Sequence, residues 1–127
     1  MSIESVNKPF VLIVEDDEDI SKGIQLVLQA AGYEAIVAEN GEVAKMHILD
    51  RKPDVMTLDI NMPELSGLDL LDQLYGSDLV EGVKIILISG QPEDELVQGV
   101  VSGVDWVLQK PIDFISVAKI VDQLLSA

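Results

Sequence analysis

The stretch FVLIVEDD, Phe10 to Asp17, decides the fold. Five apolar residues, Phe10–Val14, run without a break, as in a β-strand covered on both faces rather than one half-open to water. Three carboxylates, Glu15, Asp16 and Asp17, follow at once. Outward from this unit the pattern alternates. Ile20, Ile24, Val27, Leu28 and Ala31 fall at helical spacing, and Gly32 supplies a stop. Glu34–Ala38 reads as a short second strand and Gly41–Asp50 as a helix, with Pro53 separating it from a third strand, Val55–Leu58. Leu68, Leu71 and Leu74 mark a helix ending near Gly76. KIILI at 84–88 is another fully buried strand. A helix from about Glu93 to Ser102, a fifth strand at Trp106–Leu108 and a last helix after Pro111 complete the chain. Five strands alternating with five helices imply parallel strands joined by right-handed crossovers, in a three-layer α/β sandwich.

The 127 residues fit one domain, 1–127 with a core from about 10 to 125, and no repeat or linker divides them. Hydrophobic residues make up 48% but never form an apolar run of membrane-spanning length. Met1–Pro9 lacks a signal core, which argues against secretion. With no cysteine, neither a disulfide framework nor a thiolate metal site can form. A formal charge of −15 argues against direct nucleic-acid binding, which needs basic residues to displace counterions, and against anionic membrane surfaces. The chain reads as cytoplasmic.

In a parallel sheet all strands finish at one edge, and ligands bind there, near the point where strand order reverses. Glu15, Asp16 and Asp17 follow the first strand, Asp59 the third, Ser89 the fourth and Lys110 the fifth. The second ends in Glu39 and Asn40, apart from this pattern. Clustered carboxylates repel unless one keeps a proton or a cation lies between them. The donors are all oxygens, which favours Mg²⁺ over zinc. A lysine supplies a point charge for a phosphate oxygen and a serine hydroxyl a hydrogen bond. The set reads as a site for a phosphoryl group bridged by a metal, one carboxylate being able to act as nucleophile.

VLIVEDD at 11–17, PDVMTLDINMPELSGLDLL at 53–71, IILISG at 85–90 and the Lys110–Pro111 pair occur in order, each after its own strand. Together they resemble the response-regulator receiver family, single-domain chemotaxis regulators included, from about Phe10 to Leu125. The resemblance implies the flavodoxin-like strand order 2-1-3-4-5. It implies Asp59 as phosphoacceptor and also a ligand of Mg²⁺, Asp16 holding the ion directly, Glu15 holding it through water, and Asn61 giving its backbone carbonyl. Ser89 would hydrogen-bond the phosphoryl group, Lys110 would pair with it, and Pro63 and Gly67 match the loop after the acceptor. A sensor histidine kinase or phosphotransfer protein would donate, and a downstream protein or output domain would respond. The face of fourth helix, fifth strand and fifth helix would carry the signal and could form a dimer. A cis Lys110–Pro111 peptide would aim the lysine into the site.

Plainer readings stand beside these. Asp17, Glu18 and Asp19 suit a helix N-terminus for dipole reasons. Ser89–Gly90 alone is a turn signal and Lys110–Pro111 alone a helix start. His47 reads as surface decoration, Met46, Met56 and Met62 as core and loop packing, and Gly41 as a turn or helix-start residue. The sequence departs from the family at Val107, where an aromatic usually reports phosphorylation. Trp106, one residue earlier, should point to the other side of the strand, as a partly exposed partner contact or simple packing. The signal would then travel through Ser89 and the 90–94 loop. Three rival functions are a Mg²⁺-dependent aspartyl-phosphate hydrolase, a flavodoxin-like binding module, which the missing Ser/Thr/Gly phosphate loop after the first strand opposes, and a degenerate receiver that only binds. Asn61 stands where such hydrolases place a second aspartate, and the intact acid, serine and lysine set opposes the degenerate reading. With no output domain after Ala127, the chain is expected to be a single-domain regulator or a piece of a larger protein.

Overall fold

The computed structural model describes residues 8–60, 73, 79–90 and 104–126. Strands β1 (Phe10–Val14), β2 (Glu34–Ala38), β3 (Val55–Asp59), β4 (Lys84–Ser89) and β5 (Trp106–Gln109) form one parallel sheet in the order β2-β1-β3-β4-β5. Among the described residues the helices are α1 (Glu18–Ala30), α2 (Gly41–Asp50) and α3 (Phe114–Ser126). The expected helices at 68–76 and 93–102 lie outside the described residues. Strand order reverses on either side of β1, so the carboxyl ends of β1 and β3 adjoin at the switch point, where a crevice for ligands arises.

Successive strand residues point to opposite faces, and each face has its own core. On one, Ile24 and Leu28 of α1 and Val117, Ile120 and Val121 of α3 pack on Val11, Ile13, Val55, Ile86 and Ile88. On the other, Ala44 and Ile48 of α2 pack with Leu12, Val14, Met56, Leu58, Ile85 and Leu87. The apolar runs of β1 and β4 are thus covered on both sides. Each such fully buried aliphatic side chain stabilises the fold by about 1.5–3 kcal/mol, so the sheet is a rigid platform for whatever its edge carries.

Helix ends follow local chemistry. Asp17 caps α1, its Oδ1 accepting the Ile20 N–H at 3.0 Å, with Glu18 and Asp19 in the first turn. The dipole reading of these three acids therefore holds for their position. Gly32 follows the helix at φ +97°, a left-handed conformation that disfavours other residues. Asn40 caps α2 by accepting the Val43 N–H at 2.9 Å, which makes Gly41 the helix-start residue expected of it.

Two expectations need correction. Asp59 and Ser89 do not follow their strands but end them: Asp59 pairs with Ile88 and Ser89 with Gln109 in the parallel ladder. Tertiary pairing, invisible in apolar periodicity, extends the strands by one residue. Met46 is not packing but 69% exposed, because Ala44 and Ile48 define the buried stripe of α2 and Met46 falls opposite it; Met56 is fully buried. Met62 lies outside the described residues. On β5, Val107 packs against the core on the sheet face that carries Leu87, whereas Trp106 is 37% exposed. No helix among the described residues is long and apolar enough to cross a membrane.

Candidate functional site

At the carboxyl edge the ladder continues one residue past several strands. The N–H groups of Glu15, Ile60 and Lys110 donate to the carbonyls of Ala38 (3.0 Å), Ile88 (3.2 Å) and Ser89 (2.9 Å). Glu15 and Lys110 are therefore held by the backbone although they lie outside the strands. Three carboxylate oxygens, one each from Glu15, Asp16 and Asp59, lie within 4.8 Å of one another. Glu15 and Asp59 are each 1% exposed, whereas Asp16 faces solvent. Lys110 Nζ is 3.1 Å from Asp59 Oδ2. The Lys110–Pro111 peptide is cis, as expected.

The electrostatics of this edge are unusual. Glu15 Oε2 accepts the Asp17 N–H at 3.2 Å, while Glu15 Oε1 is buried with no N–H or O–H of another described residue donating to it. Burial, and then the hydrogen bond and charge of Asp59, push the Glu15 carboxyl from an ordinary 4.5 up to about 8, against the opposing pull of the Asp17 N–H and Lys110. At neutral pH Glu15 mostly keeps its proton. A hard divalent cation would replace it, since metal ligands must deprotonate and all the donors here are oxygens. The buried Oε1 and the close third carboxylate fit such an ion.

Ser89 ends β4 at the same edge and is buried. Asn61, with Pro63 and Gly67, lies outside the described residues. The sequence reading set Glu39 apart, yet it lines a cleft of about 680 Å³ shared with Glu15, Asp16, Ser21 and Lys22. Its signal was available: β2 neighbours β1, so the residue after β2 must stand beside the residues after β1.

Comparison with known proteins agrees with this geometry. A family model described as the response regulator receiver domain matches residues 11–122. The phosphate regulon transcriptional regulatory protein PhoB of Pseudomonas aeruginosa is 38% identical over 102 residues, covering 80% of this chain and 44% of that protein. The chain thus spans less than half the length of this curated relative. The receiver domain of the Francisella response regulator 1452 superposes with a TM-score of 0.83 at 29% identity, covering 94% of this chain and 98% of that one. The response regulator TrrA from Thermotoga maritima, solved in complex with Mg²⁺ and BeF, gives 0.77 at 29% identity, covering 91% and 98%.

Proposed function

Because this chain belongs to the response regulator receiver family, the phosphoryl-accepting switches of two-component systems, we propose that Asp59 takes the phosphoryl group from a phosphohistidine of a sensor kinase or phosphotransfer protein. A carboxylate oxygen of Asp59 attacks phosphorus. The bond from phosphorus to the donor's histidine nitrogen breaks, its electron pair stays with the imidazole, and an acyl phosphate forms on Asp59. Lys110, already 3.1 Å from Asp59, pairs with an equatorial oxygen as charge builds there. The Ser89 hydroxyl donates a hydrogen bond to another, and its movement biases the loops between two states.

Asp16 would hold Mg²⁺ directly, Glu15 through water and Asn61 by its backbone carbonyl. When bound, the ion supplies positive charge among carboxylates and phosphoryl oxygens that would otherwise repel. TrrA, at 29% identity, was solved with Mg²⁺ and BeF, which supports Mg²⁺ as the ion. The switch acts in the cytoplasm on a downstream protein or output domain, and the face around β5 and α3 is its signalling and dimer surface. A net charge of −15 keeps direct nucleic-acid contact out of this segment's own role.

One observation carries this reading: a buried aspartate ends β3 with a lysine ammonium on one oxygen and two further carboxylates within 4.8 Å. Mass spectrometry after incubation with a small acyl-phosphate donor tests it. The expected result is one base-labile phosphoryl group, dependent on Mg²⁺ and lost in Asp59→Asn. A stable adduct on Ser89 would replace this chemistry with another.

A further inference from the structure

We infer that Gly23 and Phe114 form a positioning contact that holds Lys110 against Asp59, a role resting on the function proposed above for Lys110. Gly23 sits in the second turn of α1, where glycine weakens a helix relative to alanine. The helix keeps it where the Phe114 ring of α3 lies against its backbone. A methyl group at position 23 would overlap Cε1, Cε2 and Cζ, the three distal carbons of that ring. The contact therefore depends on a missing side chain.

Its place in the chain gives it leverage. Lys110 directly follows β5, and four residues later α3 begins at Phe114. Asp113 ties the helix start down, its carboxylate accepting the Ile115 N–H at 3.1 Å and the Ser116 hydroxyl at 3.2 Å. A shift of the α3 start at Phe114 would pass into the short link 111–113 and on to Lys110. The opposite side cannot yield as easily, because Ile24 and Leu28 anchor α1 in the core without exposure. The overlap falls on Phe114, whose ring packs against the same core cluster as Ile20. We infer that the start of α3 shifts with it and carries Lys110, while the acids that precede α1 stay in place.

The test compares three full-length proteins: wild type, Gly23→Ala and Gly23→Ala/Phe114→Leu. Leucine lacks the three overlapping ring carbons, so the double variant makes room for the new methyl. Phosphoryl uptake from an acyl-phosphate donor is timed by mass spectrometry, and Mg²⁺ affinity is measured separately by calorimetry. Gly23→Ala is expected to slow uptake roughly tenfold to a hundredfold, the scale of a misplacement near 1 Å at a reacting centre. Its Mg²⁺ affinity should match wild type, and the double variant should recover most of the rate. Uptake by Gly23→Ala at the wild-type rate overturns the inference. So does a double variant as slow as the single one, or a loss of Mg²⁺ affinity in step with the rate, since the contact would then act through the acids. If the wild type takes up no phosphoryl group, the function proposed above fails, and this inference with it.

Discussion

At the amino edge of the sheet, Asp54 and Asp105 each accept a backbone N–H from the neighbouring strand, from Phe10 at 2.7 Å and from Ile85 at 2.8 Å. Each also returns its own N–H to the same residue's carbonyl, at 2.8 and 2.9 Å. Glu34, on the same side, receives both guanidinium nitrogens of Arg51, at 3.1 and 2.7 Å. At the carboxyl edge Glu15, Asp16 and Asp59 face one another, with Lys110 on Asp59 and no donor from another described residue on Glu15 Oε1. The residue types match while their surroundings are opposite. The amino ends of parallel strands leave N–H groups for a carboxylate to cap; the carboxyl ends present mainly carbonyls, which a carboxylate cannot use. An acid at the first edge secures the strands; in the function proposed above, an acid at the second serves a cation or a phosphoryl group.

The contrast breaks most visibly with Mg²⁺. Ion at a hundred times its dissociation constant should stabilise the wild type by about 2.7 kcal/mol. Melting curves of Asp16→Asn and Asp59→Asn should lose most of that gain, while Asp54→Ala and Asp105→Ala should keep it. A full Mg²⁺ gain in Asp16→Asn would remove the distinction between the two edges.

Next in size are the caps themselves. Asp54→Ala leaves the Phe10 N–H, at the start of a buried strand, without its acceptor and should cost about 1–3 kcal/mol in urea unfolding. Asp16→Asn, which relieves repulsion at an exposed position, should cost nothing measurable in the absence of metal. If both variants lose equal stability, the acids of the two edges do the same work.

The third difference lies in pH. Folding raises the Glu15 carboxyl from 4.5 to about 8, so the folded state binds that proton more tightly than the unfolded chain does. The associated stability is fully present below about 4.5 and drains away as pH rises through about 8. Metal-free wild type should therefore weaken across that window, and Glu15→Gln should flatten the decline. A wild-type profile already flat between these values would show that Glu15 titrates normally. Smallest is Arg51→Ala, which removes an exposed ion pair with Glu34 and a cation held 4.3 Å from the centre of the Phe10 ring. It should cost at most about 1 kcal/mol and leave phosphoryl uptake unchanged.

Legibility in the sequence followed the range of the forces involved. The limits of β1, β2 and α2 could be read residue by residue, because unbroken apolar runs and helical spacing are local signals. So could the capping acids after β1. The ends of β3 and β4 could not, since Asp59 and Ser89 join their ladders only through partners on other strands. Met46 looked like packing because a methionine in a helix carries no mark of which side faces the sheet. Gly23 stood in the open as a glycine inside a helical pattern, but its reason, the Phe114 ring, lies 91 positions further along the chain.

The sequence by itself determined the alternation of strands and helices, the polar residues delivered to a single edge and, through its motifs, the family. Those rest on side-chain periodicity and on the polarity of a parallel sheet, which are properties of short stretches. Only the tertiary structure decided the state of each acid. Glu15 and Asp16 are adjacent and chemically alike, yet one is buried and holds its proton to about pH 8 while the other stands in solvent. That difference arises because the ionisation of a carboxyl group depends on the water, charges and donors around it, and distant parts of the chain supply them only once it has folded.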